Sequence, residues 1–468
     1  MKRTKIIATL GPATHTKEII SDLISKGMDA VRLNFSHGTY ADHADLIALV
    51  REVAQEHNRH IAIIQDLQGP KIRLGILPDV GVEVIGGQEV VFDTALNEYQ
   101  DNQFPVDFKI LHTFVKPGER ILLNDGRVTG TITSVQDTKI TVHIEHGGLL
   151  SSHKGLNIPD SQVTISPLTE KDRADAVFGI SQKVDFIALS FVRQASDIQE
   201  LRALITQTEG DLIPSTGIIA KMERPEAIEN SAAILAATDA IMVARGDLGI
   251  EIAEAKVPIV QKQLIAAALA VNKPVIVATQ MLDSMQENPL PTRAEVSDVA
   301  NAEIDLADAV MLSNESATGK FPRETVAIMS DILREAEASV YDDRLPTPPE
   351  GNTDTVAQAV RQRAEESGAV IIVTASAQGR IARHLSHFRP QVPIVVVTDN
   401  ERVARQLALV SGVYAVSGDL QSIDSVLTTA TKYAVNNQLC MTGDTIVIAL
   451  SNPLAADSEI SVLETKAV

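Results

Sequence analysis

Short apolar runs recur along the first two-thirds of the chain, each closing in a polar or glycine-bearing turn. They are Lys5–Leu10, Ala30–Phe35, Ile61–Leu67, Phe186–Phe191, Gly217–Met222, Ala240–Ala244, Pro274–Thr279 and Ala309–Leu312. Each is β-rich and apolar throughout, the pattern of parallel strands buried on both faces. Stretches of helical length separate most of them, among them Glu18–Gly27, Asp42–His57 and Lys256–Val271. Eight strands alternating with helices predict an α/β fold, a closed (β/α)8 TIM barrel; an open doubly wound sheet shows the same alternation and is the alternative.

The interval between the third and fourth runs is too long for one helix. It alternates with period two and carries glycine turns, as in GVEVIGGQEVVFDT and RILLNDGRVTGTITSVQDTKITVHI. This predicts an inserted β-barrel lid domain over residues 69–162, leaving residues 1–68 and 163–345 to the barrel. The insertion joins at the C-terminal end of the third strand, the face on which barrel active sites lie, where it is placed to close over a site. A helix follows Pro322 to about Tyr341, and DDRLPTPPEGNTDT then reads as a linker. Beyond it VIIVTAS, PIVVVTD and DTIVIALS alternate with helical stretches, predicting an open α/β domain over residues 346–468.

Composition narrows the partners. The 468 residues carry 41 Lys+Arg against 61 Asp+Glu, a net charge of −20, which argues against duplex nucleic acid or an anionic membrane as partner. Trp is absent and aromatics are 3%, which argues against base-stacking platforms. No apolar run reaches the ~20 residues of a membrane span. The single cysteine, Cys440, has no internal disulfide partner, so the expected compartment is reducing and cytoplasmic.

Polar residues collect where the strands end. The second run closes in Arg32, Asn34, Ser36 and His37, and the third in Asp66 with Lys71 and Arg73 behind it. The fifth closes in Lys221 and Glu223, the sixth in Gly246 and Asp247, the seventh in Thr279 and the eighth in Ser313-Asn314-Glu315. In a barrel these meet in one cup. Lys221 and Glu223 are two apart on a strand and so share a face. They read either as a buried ion pair or as a cation facing a phosphoryl group beside a metal carboxylate. Asp247 supplies a second carboxylate, and two carboxylates with open positions suit Mg²⁺, substrate oxygens completing its shell. Gly246-Asp247-Leu248-Gly249 reads either as a turn with Asp247 as N-cap or as a loop whose N–H groups take a carboxylate. Arg32 within an apolar strand needs an anion. Thr292 and Glu295 form a capping box at the start of a helix.

The segments MVARGDLGIEI, IIAKMERPEAI, VATQMLDSM, NPLPTRAEVSDVANA and RLNFSHG resemble the pyruvate kinase family, strongly over residues 1–340 and more loosely beyond. The resemblance implies transfer of a phosphoryl group from phosphoenolpyruvate to ADP, giving pyruvate and ATP, with Mg²⁺ (or Mn²⁺), and a homotetramer. It assigns Arg32 to the phosphate, Lys221 to the phosphoryl group in flight, and Glu223 and Asp247 to the metal. It gives the backbone at Gly246 and Asp247 to the pyruvate carboxylate, with Thr279 beside it, and counts Thr279 with Lys221 and Arg32 as catalytic. It gives Asn34, Phe35, Ser36, His37, Arg73 and Lys154 to the nucleotide.

The chain departs from the family at Asp66-Leu67-Gln68-Gly69-Pro70-Lys71-Ile72-Arg73, where DTKGPEIR is common. In the common form Asn34, Ser36, Asp66 and a threonine at position 67 surround K⁺. Leu67 lacks that hydroxyl, and the local charge changes by about +1, that of the missing ion. Lys71 is therefore expected to stand in for K⁺, which is not required. Asn314 stands where the family usually has glycine and is expected to adopt the left-handed conformation. Ser376, Gln378, Gly379 and Arg380 open a helix and resemble a cradle for a phosphorylated allosteric effector. The loop SNPLAADSE reads as plain surface. Two other classes compete: a pyruvate-handling aldolase on a similar barrel, which has no need of the lid, Arg73 or Lys154, and a non-catalytic effector-binding relative, against which intact Lys221, Glu223 and Asp247 argue.

Overall fold

The computed structural model describes residues 2–124, 126–161, 166–212, 214–342, 352–454 and 460–468. The expected edge of the insertion at Gln162, most of the linker and most of the loop SNPLAADSE lie outside the described residues.

Eight parallel strands close into a barrel. In chain order they are Lys5–Thr9, Ala30–Asn34, Ala62–Asp66, Phe186–Leu189, Gly217–Met222, Ala240–Ala244, Val275–Ala278 and Ala309–Leu312, here the first to eighth strands. Helices form between the strands because their starts are capped. Thr39 with Asp42, Thr169 with Asp172 and Thr292 with Glu295 each form a capping box, the last as predicted. Residues alternate between two cores. Ile6 and Ala8 pack outward against the helices, while Ile7, Ala30, Ala62, Ile64, Ala188 and Ile219 fill the interior. Ala408 and Leu409 of the C-terminal unit join that interior cluster and plug the N-terminal end.

At that end an aspartate precedes every even-numbered strand. Asp29, Asp185, Asp239 and Asp308 accept hydrogen bonds from the N–H groups of Ile6 (3.0 Å), Ile63 (2.8 Å), Ile218 (2.7 Å) and Val275 (3.1 Å) on the neighbouring odd strands. Each also meets a cation: Asp29 meets Lys2 and Arg59, Asp185 meets Arg51 and Arg405, Asp239 meets Arg202, and Asp308 meets Arg389. Edge donors at the strand starts are thereby satisfied by charged acceptors.

The insertion after the third strand forms a six-stranded sheet around its own core, which includes Phe92, Phe104, Ile121 and Val142, and a separate strand pair, Val82–Val84 with Gly148–Leu150. The C-terminal unit is a five-stranded sheet in the spatial order Val413–Ser417, Ile394–Thr398, Ile371–Ala375, Thr445–Ser451, Ile460–Ala467. The sequence pattern missed its two edge strands, and the last of them is antiparallel. The helix beginning at Pro322 stops at Glu337, short of the predicted Tyr341, and Ala338 caps it.

Candidate active site

The interior face of the barrel sets the site by its period of two. Ala30, Ile64, Ala188 and Ile219 point inward, so two residues on, Arg32, Asp66, Ser190 and Lys221 form the next interior layer. The four make one network. The Arg32 Nε donates to Asp66 Oδ2 at 2.6 Å and its Nη1 to Thr9 Oγ1 at 3.2 Å. The Lys221 ammonium donates to Ser190 Oγ at 2.7 Å and lies 3.5 Å from Asp66 Oδ1 and 3.3 Å from Glu223 Oε2. Arg32 inside the strand thus finds the anion it requires. Burial alone would lower the Lys221 pKa, but Asp66, Glu223 and Asp247 outweigh it and hold the ammonium well above the ordinary lysine range. Burial opposes ionisation of Asp66, yet Lys221 and Arg32 keep its carboxyl below the usual range.

Glu223 is held differently. Its Oε1 accepts from the Phe191 N–H at 2.7 Å, while its Oε2 is buried without a hydrogen-bond partner. Burial, with the Asp247 charge adding to it, pushes this carboxyl up to about 7 against the pull of Lys221. Held by no hydrogen bond and met by the Lys221 ammonium alone at 3.3 Å, this oxygen is open to a further cation. Among the described residues no three His, Cys, Asp or Glu side chains gather as a metal centre. Glu223 and Asp247 thus form a two-carboxylate, oxygen-only donor set, which fits a hard divalent ion that takes its other ligands from substrate and water.

A cavity of about 510 Å³ opens in front of this layer. Its wall includes Arg32, Asn34, Ser36, His37, Asp66, Lys71, Lys221, Glu223 and Asp247 from the barrel end, Arg73 at the junction, and Lys154 from the inserted module. Arg73 is held within the inserted module, its Nη1 donating to the His153 carbonyl at 3.0 Å. Burial, followed by the charges of Arg73, Arg32 and Lys71, pushes the His37 imidazole below its ordinary pKa. The wall therefore offers a cationic field to an anionic ligand on a protein of net charge −20.

Several expectations are corrected. Phe35 does not line the cavity: it is 3% exposed, stacked on His43 with ring centroids 3.9 Å apart, and its carbonyl accepts from Lys171. Leu67, by contrast, packs in the core at 1% exposure and still contributes to the cavity wall. Asp247 is no N-cap, because it sits in the first turn of the helix Arg245–Glu251, with Ala244 as cap. Asn314 starts the helix Asn314–Ala317 and is not among the positive-φ residues. Gly246 and Thr279 are not among the residues of the wall. The Gly246 N–H donates to Thr279 Oγ1 at 2.7 Å, and Thr279 is held at φ +70°. That is a strained conformation for a β-branched residue, worth about 1–3 kcal/mol. The ion pair recorded for Lys71 is with Asp247 Oδ1, at 3.8 Å.

Ser190 was missed, although its inward parity with Phe186 and Ala188 could have revealed it. A second link was also missed. Glu251, at the end of the helix bearing Asp247, accepts from Arg224 Nη1 at 2.8 Å and from Asn157 of the inserted module at 3.3 Å.

Residues 1–326 match the family model for the pyruvate kinase barrel domain, and residues 354–463 match the model for the pyruvate kinase alpha/beta domain. The chain is 38% identical to a pyruvate kinase of Clostridium acetobutylicum over the whole of both. It is 44% identical to pyruvate kinase 2 of a Synechocystis species, over 96% of this chain and 76% of that one. Its fold matches the crystal structure of a pyruvate kinase from Cryptosporidium parvum with a TM-score of 0.90 at 32% identity, covering 100% of this chain and 96% of the other. With both halves matched in order and at full length, the chain belongs to the pyruvate kinase family of phosphotransferases.

Proposed function

We propose that the cavity holding Arg32, Lys221, Glu223 and Asp247 transfers the phosphoryl group of phosphoenolpyruvate to ADP, giving enolpyruvate and ATP. A proton added at the enol carbon then yields pyruvate. The observation that carries this reading is the buried Glu223 Oε2 without a donor, beside the Lys221 ammonium and in a cationic cavity.

Phosphoryl transfer asks for positioning and charge stabilisation more than for covalent help. Arg32, oriented by Asp66, faces the phosphate. Lys221, fixed by Ser190 and three carboxylates, stays protonated and neutralises charge on the phosphoryl group as it moves from one oxygen to the other. Glu223 and Asp247 would hold Mg²⁺ or Mn²⁺, which supplies Lewis-acid stabilisation to substrate oxygens. The N–H groups of Gly246 and Asp247 would receive the carboxylate of phosphoenolpyruvate, the first by giving up its bond to Thr279. Asn34, Ser36, His37, Arg73 and Lys154 face the nucleotide side; Phe35 contributes no side chain there. An assay of pyruvate formed from phosphoenolpyruvate, ADP and Mg²⁺ tests the reading, and absence of turnover overturns it.

The reaction is proposed to run without K⁺. Leu67 brings no hydroxyl to the cavity wall, and Lys71 lines that cavity with Asn34, Ser36 and Asp66. Rates in K⁺ and in tetramethylammonium should agree within about twofold; a large loss without K⁺ contradicts this. The division into residues 1–68 with 163–345, 69–162 and 346–468 is part of the same reading, supported by the separate cores. So are a cytoplasmic setting, for which the single Cys440 speaks, a homotetramer, for which the family speaks, and a phosphorylated effector at Ser376, Gln378, Gly379 and Arg380. Gly379 at φ +77° opens the helix Arg380–His387 there. No helix among the described residues is long and apolar enough to cross a membrane.

A further inference from the structure

The sixth and seventh strands stay in register as far as Ala244 and Ala278, their last paired residues. Beyond that pair both segments leave the sheet. Arg245 begins the helix Arg245–Glu251, which carries Asp247, while Thr279 and Gln280 enter the left-handed region at φ +70° and +55°. Two consecutive non-glycine residues there, the first β-branched, persist only where surrounding contacts enforce them, and such strain concentrates at functional sites. Here the enforcing contacts come from Arg245.

The Arg245 Nη2 donates to the Thr279 carbonyl at 2.7 Å, and its Nε to the Ala278 carbonyl at 3.4 Å. Its Nη1 donates to Asp298 Oδ1 at 2.7 Å, on the helix Arg293–Ile304, and to Gln261 Oε1 at 3.4 Å, on the helix Val257–Leu269. The Arg245 side chain is 10% exposed and that of Asp298 35%. One guanidinium thus fixes the Thr279 carbonyl against two helices that surround the barrel, and Asp298 meets its charge. The planar fork serves all these acceptors at once, whereas the point charge of a lysine would not.

The hold on the carbonyl sets the hydroxyl. Rotation about the Thr279 N–Cα bond toward negative φ carries its Cβ and its carbonyl together away from their present partners. The hydroxyl would then lose the bond it donates to the Ala278 carbonyl at 2.6 Å and the bond it accepts from the Gly246 N–H at 2.7 Å. Arg245 and Gly246, adjacent in the chain, therefore grip Thr279 from two directions, side chain to carbonyl and backbone to hydroxyl. Arg245 is not among the residues lining the cavity of about 510 Å³, so its influence on a ligand there runs through the loop it holds.

We infer that Arg245, anchored by Asp298, is a positioning residue for the proposed reaction. It holds Thr279 in its left-handed conformation and so keeps the Thr279 hydroxyl and the Gly246 N–H aligned at the edge of the phosphoenolpyruvate carboxylate site. When the carboxylate takes the Gly246 N–H, the displaced hydroxyl keeps a fixed direction only while Arg245 holds the loop. Positioning of this kind is felt in the reacting complex more than in the affinity for substrate. The kinetic consequence rests on the function proposed above; the conformational one does not.

The test compares Arg245→Met, Arg245→Lys, Asp298→Asn and Thr279→Ala with the parent in the full chain. Steady-state turnover of phosphoenolpyruvate and ADP with Mg²⁺, direct titration with phosphoenolpyruvate, and amide hydrogen exchange over residues 275–284 are measured for each. Arg245→Met should lower kcat by about 30-fold or more while phosphoenolpyruvate affinity stays within about threefold. It should also speed exchange in that segment by about tenfold or more. Arg245→Lys should recover part of the lost kcat, and Asp298→Asn, which keeps the fork but loosens its anchor, should lower kcat by about threefold. In a Thr279→Ala background Arg245→Met should cost no more than about a further threefold, since both changes act through one hydroxyl. Near-parental kcat in Arg245→Met overturns the proposal. So does an undiminished effect in the Thr279→Ala background, or a loss confined to phosphoenolpyruvate affinity. Should Arg245→Met fail to fold, Arg245→Lys and Asp298→Asn decide, and parental kcat and exchange in both overturn it. A parent with no turnover contradicts the proposed reaction instead. Exchange still decides the hold on Thr279 in that case: faster in Arg245→Met supports it, and unchanged overturns it.

Discussion

At the N-terminal end of the barrel, Asp29, Asp185 and Asp308 each combine a backbone N–H, a cation and almost complete burial. At the C-terminal end, Asp66 is equally well paired, but Glu223 two strands away keeps one oxygen buried without a hydrogen bond, the Lys221 ammonium 3.3 Å off, beside an open cavity of about 510 Å³. The same residue types serve opposite ends. Satisfied carboxylates lock strand starts in register and hold the C-terminal unit, whereas an unsatisfied one is poised for a ligand that the chain does not supply.

The sharpest way to separate the two ends is to compare one carboxylate from each. Glu223→Gln should lower kcat by about 10³-fold or more and weaken divalent-ion affinity, with the melting temperature unchanged or raised, because a carboxyl poorly served by the fold becomes a neutral amide. Steady-state rates across a Mg²⁺ series check this, and retained activity at saturating Mg²⁺ would merge the two ends. Asp185→Ala should do the reverse. Arg51 and Arg405 lose their shared buried partner, so stability should fall by about 3–5 kcal/mol in denaturant titration while the folded fraction keeps its kcat.

A smaller effect is expected from Lys5, whose ammonium is buried at the N-terminal end, donating to the Val413 carbonyl at 2.6 Å and lying 4.0 Å from the Tyr414 ring centroid. Burial lowers its pKa from 10.5 to about 7, against Asp29 and Glu337 and reinforced by Lys2 and Arg59. Between those values the unfolded chain binds the proton and the folded chain does not. This group therefore adds stability as pH rises from about 7 to 10.5, with a slope of at most about 1.4 kcal/mol per pH unit. Lys5→Met should remove that slope. Unfolding midpoints at pH 7.5 and 9.5 decide it, and equal slopes in both proteins would show that Lys5 keeps its proton.

How far the molecule was legible from sequence follows the same division. The eight barrel strands were readable because they are apolar on both faces; the differences are one or two residues at their ends, such as Leu10, Phe35 and the pair Ser190-Phe191. Val413–Ser417 and Ile460–Ala467 were not, because edge strands are partly exposed and lose the apolar run. Most of the cup was legible, since Arg32, Lys221, Glu223 and Asp247 are costly in or directly after apolar runs unless used. Thr279 was legible as a position but not as a conformation, because nothing in its side chain announces φ +70°. The aspartate register was present four times, as Asp29-Ala30-Val31, Asp185-Phe186-Ile187, Asp239-Ala240-Ile241 and Asp308-Ala309-Val310. A lone Asp before a strand reads as loop; only the recurrence at alternate strands carries the meaning.

The central claim is that Lys221 serves the moving phosphoryl group and not merely the fold. Pre-steady-state and steady-state turnover of Lys221→Met, alongside direct titration with phosphoenolpyruvate, tests it. The account predicts kcat lowered by about 10³-fold or more while phosphoenolpyruvate affinity stays within about tenfold. A variant that turns over at near-parental rate, or that loses substrate affinity and kcat only through unfolding, would contradict it.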